Sequence, residues 1–243
     1  FDLAYSVQAM YEEIFFNTLN KLHKKYKIDN LTLAGGCGNN SVANGKVYRM
    51  TPFKKVYIAA SAGDAGGAIG SALSVLANET PNKNSKLFTM NHAFWGPSYS
   101  DKYIFNLLEL EKERLSEFSI KEIPSAPKLC KIVAEMIAND KVVGWFQGRM
   151  EWGPRALGNR SILADPRKKN MKDIINSKIK KRETFRPFAT SILRENVSEW
   201  FEEDDDVPFM MQVFQIKEVN KKIQLSKCLF LSTSFLYLYK MNL

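Results

Sequence analysis

Gly148-Arg149-Met150-Glu151-Trp152-Gly153-Pro154-Arg155-Ala156-Leu157-Gly158-Asn159-Arg160-Ser161-Ile162-Leu163-Ala164-Asp165-Pro166-Arg167 sets arginines on a short, glycine-punctuated frame between apolar, strand-like segments. A guanidinium stays charged at any working pH, and its planar fork of donors matches phosphate or carboxylate oxygens. A solvated basic loop would not explain why Trp152, Pro154 and Leu157 alternate with the charges, since rigid apolar residues fix a loop's shape; the run reads as an anion site. Just upstream, the valines and aromatics of 141–147 read as a buried strand, preceded by a helix at 128–139. Downstream, 161–164 is the next strand. Asp165-Pro166 then supplies a cap and a first-turn proline for a helix to about Lys180, with Met171, Ile174, Ile175 and Ile179 on its core face. Lys168, Lys169 and Lys172 read as the solvated face of that helix.

Farther upstream, apolar residues at near-helical spacing predict an amphipathic helix over 3–25, with Glu12 and Glu13 early and Lys21, Lys24 and Lys25 late. Strands at 31–34 and 56–60 run into the glycine turns Gly35-Gly36 and Gly63-Asp64. The second turn opens a small-residue helix from 65 to about 77, for which Asp64 is a natural N-cap. Two strand, glycine-turn, helix units in succession predict an α/β layer with phosphate or nucleotide contacts at the strand carboxyl ends. Neither GxxxxGK[ST] nor GxGxxG occurs, and Gly66, Gly67 and Gly70 suit close helix packing as well as a ligand. Residues 81–86 read as a surface loop. A charged, periodic segment at 101–118 lies between two proline clusters, which places a domain change between about 90 and 127.

The 243 residues can bury a substantial core, and 45% hydrophobic content fits a soluble globular chain. Of the net charge of +9, the band 141–190 carries 13 Lys/Arg against 4 Asp/Glu, so the remainder is close to neutral. Such a band attracts nucleic acid, an acidic membrane or small phosphorylated substrates. Cys37, Cys130 and Cys228 are far apart and odd in number, which argues against disulfides and structural zinc and fits a reducing, cytoplasmic compartment. The first residues carry no leader pattern and read as a chain entered in mid-domain. The apolar stretch 228–239 is too short for a bilayer span. Two histidines and no GxSxG elbow leave hydrolase readings with little support, and the acidic run 202–206 reads as a surface loop.

The arginine run, with Arg182-Glu183-Thr184-Phe185-Arg186-Pro187-Phe188-Ala189, Leu33-Ala34-Gly35-Gly36-Cys37 and Gly63-Asp64-Ala65-Gly66-Gly67-Ala68-Ile69-Gly70, resembles the signature of the O-carbamoyltransferases of the NodU/CmcH type, as far as about residue 214. The resemblance implies an α/β chain: the back part of an actin-like (ribonuclease H-like) nucleotide and metal domain over 1–95, a connector over 96–127, and a YrdC-like α/β domain over 128–243, both domains incomplete. It implies catalytic Arg149, Arg155 and Arg160, joined by Lys180, Arg182 and Arg186 in binding carbamoyl phosphate. It places a nucleotide at Gly35, Gly36, Asn40, Gly63 and Gly67, and a divalent metal, with iron among the candidates, at Asp64 together with histidines from the domain's first half. Gly38-Asn39 departs from the small or apolar residues usual there. His23 and His92 form no HxxxH pair and read as ordinary residues, and as a pure cap Asp64 needs no metal. Glu151 reads as a structural salt bridge.

The implied reaction is ATP-dependent transfer of a carbamoyl group from carbamoyl phosphate, through carbamoyl adenylate, to a hydroxyl-bearing small molecule, with a homo-oligomer compatible and no membrane partner. A nucleic-acid-binding module using the 141–190 band is the rival of a different class, weakened by the lack of an RNP1 or KH motif. A non-catalytic remnant is the third reading. From about residue 215 the family pattern fades, and 231–235 resembles a downstream motif only by coincidence.

Overall fold

A computed structural model describes residues 2–79, 89–168 and 170–220, together with the backbone of 229–232. The expected loop at 81–86, Lys169, Cys228 and the residues after 232 lie outside the described residues. By contacts, the chain divides into two units, one of residues 1–93 and 195–221, the other of 94–194 and 222–243. The sequence division at 95 and 127 follows chain order, whereas 195–221 packs with the first unit.

In the first unit, helix α1 (Asp2–Tyr26) carries an acid in its first turn and His23, Lys24 and Lys25 in its last, which complements its macrodipole. Lys27, in the left-handed region at φ 54°, ends it. Phe16 and Leu19 pack with Val47 and Phe53, flanked by Phe15, Leu31, Leu33 and Val56. Strand β1 (Asn30–Leu33) pairs in parallel with β2 (Lys55–Ile58), Leu31 opposite Val56 and Leu33 opposite Ile58. Between them lie a short 3-10 helix (Gly36–Asn39), α2 (Ser41–Asn44) and α3 (Val47–Met50). Helix α4 (Gly66–Glu79) follows β2. Asp29 bridges the end of α1 to the start of β2 through His23 at 2.9 Å and Lys54 at 2.5 Å, contacts that hold its carboxyl below the ordinary range.

The segment 195–221 joins this unit through backbone bonds. The fully buried Asn44 donates to the carbonyls of Gly38 (2.8 Å) and Met211 (2.9 Å), and the Val213 amide donates to the Ser41 carbonyl. A Cβ at Gly45 would sit on the Val213 carbonyl oxygen, so only glycine permits this approach. Gly45→Ala is expected to destabilise this unit by about 1 to 3 kcal/mol, because backbone, not a flexible side chain, must move; urea denaturation checks it. The acidic run 202–206 is a surface loop, with Glu202, Asp204 and Asp206 exposed, held down by its other two acids. Glu203 pairs with Arg49 at 3.1 Å, and Tyr48 donates to Asp205. Burial, then Asp205, pushes the Tyr48 hydroxyl up to about 12.

In the second unit, α5 (Asp101–Leu110) starts at a Ser100 cap and stops well short of the expected 118. Irregular turns follow, since 111–117 is mostly charged and offers little to bury. Ser125 caps α6 (Ala126–Ala138), with proline in its first turn. Strands β3 (Val143–Phe146), β4 (Arg160–Ala164), β5 (Ala189–Ser191) and β6 (Leu229–Ser232) form an antiparallel sheet in the order β3-β4-β6-β5. The tail therefore supplies an inner strand. Ala164, Met171 and Ile175, backed by Val142 and Phe188, form this unit's buried cluster.

The helix expected after Asp165-Pro166 begins only at Met171, as α7 (Met171–Ile174). Asp165 caps nothing. Its buried carboxylate accepts the Arg167 amide and both Arg167 Nε and Nη2, so the neighbouring guanidinium outcompetes helix amides. From Ile175 to Lys180 the chain is a π-helix, whose wider turn carries Ile179 out to solvent instead of onto the core face with Met171 and Ile175. No helix among the described residues is long and apolar enough to cross a membrane.

Candidate functional site

The 148–160 loop is built from the inside by Glu151. Its buried Oε1 accepts the amides of Leu157 (2.6 Å), Asn159 (2.7 Å) and Arg160 (3.2 Å), so the residue binds backbone and not the arginine that a salt bridge would require. Gly148, Gly153 and Gly158 all take positive φ, which lets the loop fold around that carboxylate. Arg149 donates to the Trp95 and Gly96 carbonyls, both at 3.1 Å. Arg160 lies 3.5 Å over the Phe146 ring and donates to the carbonyls of Gln147 (2.7 Å), Asn159 (2.9 Å), Gly148 and Pro97. With its donors spent on carbonyls, Arg160 organises the loop, and an anion contact would require those bonds to open. Arg155 differs: its buried Nε has no partner.

The second arginine group follows the π-helix. Lys181, left-handed at φ 48°, turns the chain, and a cleft of about 530 Å³ opens among Ser177, Lys181, Arg182, Glu183 and Arg186. Of the six expected cations this cleft gathers Arg182 and Arg186, and it adds Lys181, which the sequence reading did not assign. Lys180, half-buried at the end of the π-helix, is not in its lining. Arg186 pairs with Glu183 at 2.8 Å. Arg182 lies 4.9 Å from the centre of the Phe188 ring and donates through Nε to Asn176 Oδ1 at 2.7 Å, while its buried Nη2 has no partner. Burial, with Arg186 adding to it and Glu183 opposing it, pulls Arg182 below the ordinary guanidinium value.

At the glycine turns, Gly35 takes φ 98° and its amide donates to the Ala62 carbonyl, which ties the two strand ends together. The Asn40 side chain accepts the Ala43 amide as the cap of α2 and pairs with Gln8, so structure already occupies it. Gly63 lies against the Asn39 side chain. Gly66 could carry no Cβ without meeting the Ser61 carbonyl, whereas Gly36, Gly67 and Gly70 face open space. Close packing thus accounts for Gly66 alone among the three glycines of the α4 turn. The cap reading of Asp64 is corrected as well: Gly66 and Gly67 amides donate to the backbone carbonyls of Gly63 and Asp64, and the exposed carboxylate makes no hydrogen bond among the described residues. No group of three or more His, Cys, Asp or Glu suited to a metal occurs among those residues, so Asp64 offers one ligand and no complete site. His23 is an ordinary packing residue, edge-on to Phe53.

The chain belongs to the carbamoyltransferase family: residues 1–73 match the carbamoyltransferase N-terminus and residues 134–230 the carbamoyltransferase C-terminus. The second match runs past residue 215, so the fading of the pattern expected there is corrected. Similar proteins include sll1178 of Synechocystis sp., 42% identical over 219 residues, which are 89% of this chain and 35% of that protein. Nodulation protein NolNO of Sinorhizobium fredii is 39% identical over 226 residues, 91% of this chain and 32% of its own length. The 3'-hydroxymethylcephem-O-carbamoyltransferase of Streptomyces clavuligerus is 31% identical over 188 residues, 77% of this chain and 33% of its own length. The chain spans about a third of the length of these curated relatives.

Proposed function

We propose that this chain serves an ATP-dependent O-carbamoyltransferase reaction in the cytoplasm, with carbamoyl phosphate as donor and a hydroxyl-bearing small molecule as acceptor. The observation that carries the reading is Arg182, a half-buried guanidinium whose buried Nη2 has no partner, set in a cleft with Lys181 and Arg186. A dianionic phosphoryl group would supply the missing acceptor and charge, and these cations would stabilise the phosphate as it leaves. Arg155 is the donor of the first loop that remains free for the same task, while Arg149 and Arg160 hold that loop in shape. In this scheme the second unit, read as YrdC-like, hydrolyses carbamoyl phosphate to carbamate and phosphate. Carbamate then attacks the α-phosphorus of ATP, releasing pyrophosphate and forming carbamoyl adenylate; the acceptor hydroxyl takes the carbamoyl group and AMP leaves. The first unit, read as actin-like, would receive the nucleotide at the turns of Gly35, Gly36, Gly63 and Gly67. Asp64 would give one ligand to a divalent metal, the other ligands coming from polypeptide outside this chain.

The chain by itself is therefore expected to bind carbamoyl phosphate yet release no pyrophosphate from ATP. Calorimetry and a pyrophosphate assay test the two halves separately. Absence of carbamoyl phosphate binding would remove the cleft assignment, and robust pyrophosphate release would remove the argument that Asp64 needs outside ligands.

A further inference from the structure

Asn176 lies at the second position of the π-helix and is fully buried, with every part of its side chain and its carbonyl engaged except toward solvent. Its Oδ1 accepts Arg182 Nε at 2.7 Å. Its Nδ2 donates to the carbonyls of Arg186 (3.0 Å) and Thr184 (3.3 Å). Its backbone carbonyl accepts the amides of Lys181 and Arg182, the first of these being the five-residue span that defines a π-turn. One asparagine thus holds the cationic loop at four backbone positions and one guanidinium edge. A buried amide with this many partners is costly to place unless all are satisfied, and here the loop satisfies them.

The consequence lies in the direction of the guanidinium. A guanidinium is planar, so fixing Nε on one edge fixes where both Nη groups point. With Nε taken by Asn176 and the cation over Phe188, Arg182 keeps one occluded nitrogen, Nη2, without a partner, and an anion in the cleft reaches it only when the side chains around it part. We propose that Asn176 is a positioning residue that aims Arg182 at the phosphoryl group of the carbamoyl donor. The proposal rests on the cleft being the donor site, and asparagine is required because its amide must accept from a cation and donate to carbonyls at once.

A double-mutant cycle tests it. Carbamoyl phosphate and inorganic phosphate are titrated calorimetrically into the wild-type chain, Asn176→Ala, Arg182→Ala and the double variant, with circular dichroism as the check on folding. Each single variant is expected to bind about tenfold or more weakly. The double variant should bind no more weakly than Arg182→Ala, since Asn176 acts through Arg182. Wild-type affinity in Asn176→Ala, or additive losses in the double variant, overturns the positioning role and leaves the anion cleft standing. Wild-type affinity in Arg182→Ala overturns the cleft and the positioning role together. Should Asn176→Ala not fold, Asn176→Asp decides: it keeps an acceptor for Nε but cannot donate to Thr184 and Arg186 and cancels the charge of Arg182, so unchanged phosphate affinity overturns the proposal. Without any variant, the Nε–H nuclear magnetic resonance signal of Arg182 in the wild-type chain should exchange slowly before anion is added; rapid exchange overturns the proposal.

Discussion

Glu151→Ala is expected to cost the second unit about 3 kcal/mol and to abolish any anion contact made through Arg155. The reason is that three amides, those of Leu157, Asn159 and Arg160, converge on one buried oxygen. Removing it strands the buried Leu157 amide, worth about 1 to 3 kcal/mol when unsatisfied, and the half-buried Asn159 and Arg160 amides, which water reaches more readily. Gly153 and Gly158, which fold the loop around the carboxylate, then have nothing to fold around and add conformational freedom. Glu151→Gln keeps an acceptor oxygen and loses only the charge, so its cost should be nearer about 1 kcal/mol. Denaturant unfolding of both variants, with phosphate titrations alongside, makes the measurement. Equal, small losses would show that the loop keeps its shape without the carboxylate.

Asp165→Ala is expected to cost about 2 kcal/mol near neutral pH, discounted from the roughly 3 to 5 kcal/mol of a fully buried pair because Arg167 remains partly in solvent. The buried carboxylate takes two side-chain nitrogens and one amide from Arg167, and those bonds hold its pKa below the ordinary value. A carboxyl depressed on folding contributes its full stability above the unfolded value of about 4 and loses it as pH falls through the lower folded value. The wild-type chain should therefore lose stability relative to Asp165→Ala below about pH 4. A difference between the two that stays constant through that acid range would remove the ion pair as its source.

The family signature was legible because it is local. Arginine and glycine spacings over 148–160 and 182–189, and the glycine turns after β1 and β2, are short strings that need no long-range contact to be recognised. The allocation of donors was not legible. Arg149, Arg155, Arg160, Arg182 and Arg186 are the same residue type in similar company, yet Arg160 spends its fork on carbonyls at residues 97 and 147–159, Arg186 pairs with Glu183, and only Arg155 and Arg182 keep a buried nitrogen free. Asn176 gave almost no signal in the sequence, because a polar residue within a helical pattern looks like surface until the helix is seen to widen to π and bury it.

The sequence by itself determined α1, β1, β2, α6, β3 and β4 to within a few residues, since periodicity, caps and turn residues act over one or two turns of chain. It also determined the family, through four separated motifs. Only the tertiary structure decided that β6 lies between β4 and β5, that 195–221 belongs with the first unit, and that neither Asp64 nor Asp165 caps a helix. In each case the outcome is set by competition among hydrogen-bond partners: strand edges, a carbonyl 167 residues away for Asn44, a guanidinium two residues away for Asp165. Propensity names the groups able to bond, and the fold chooses which of them meet.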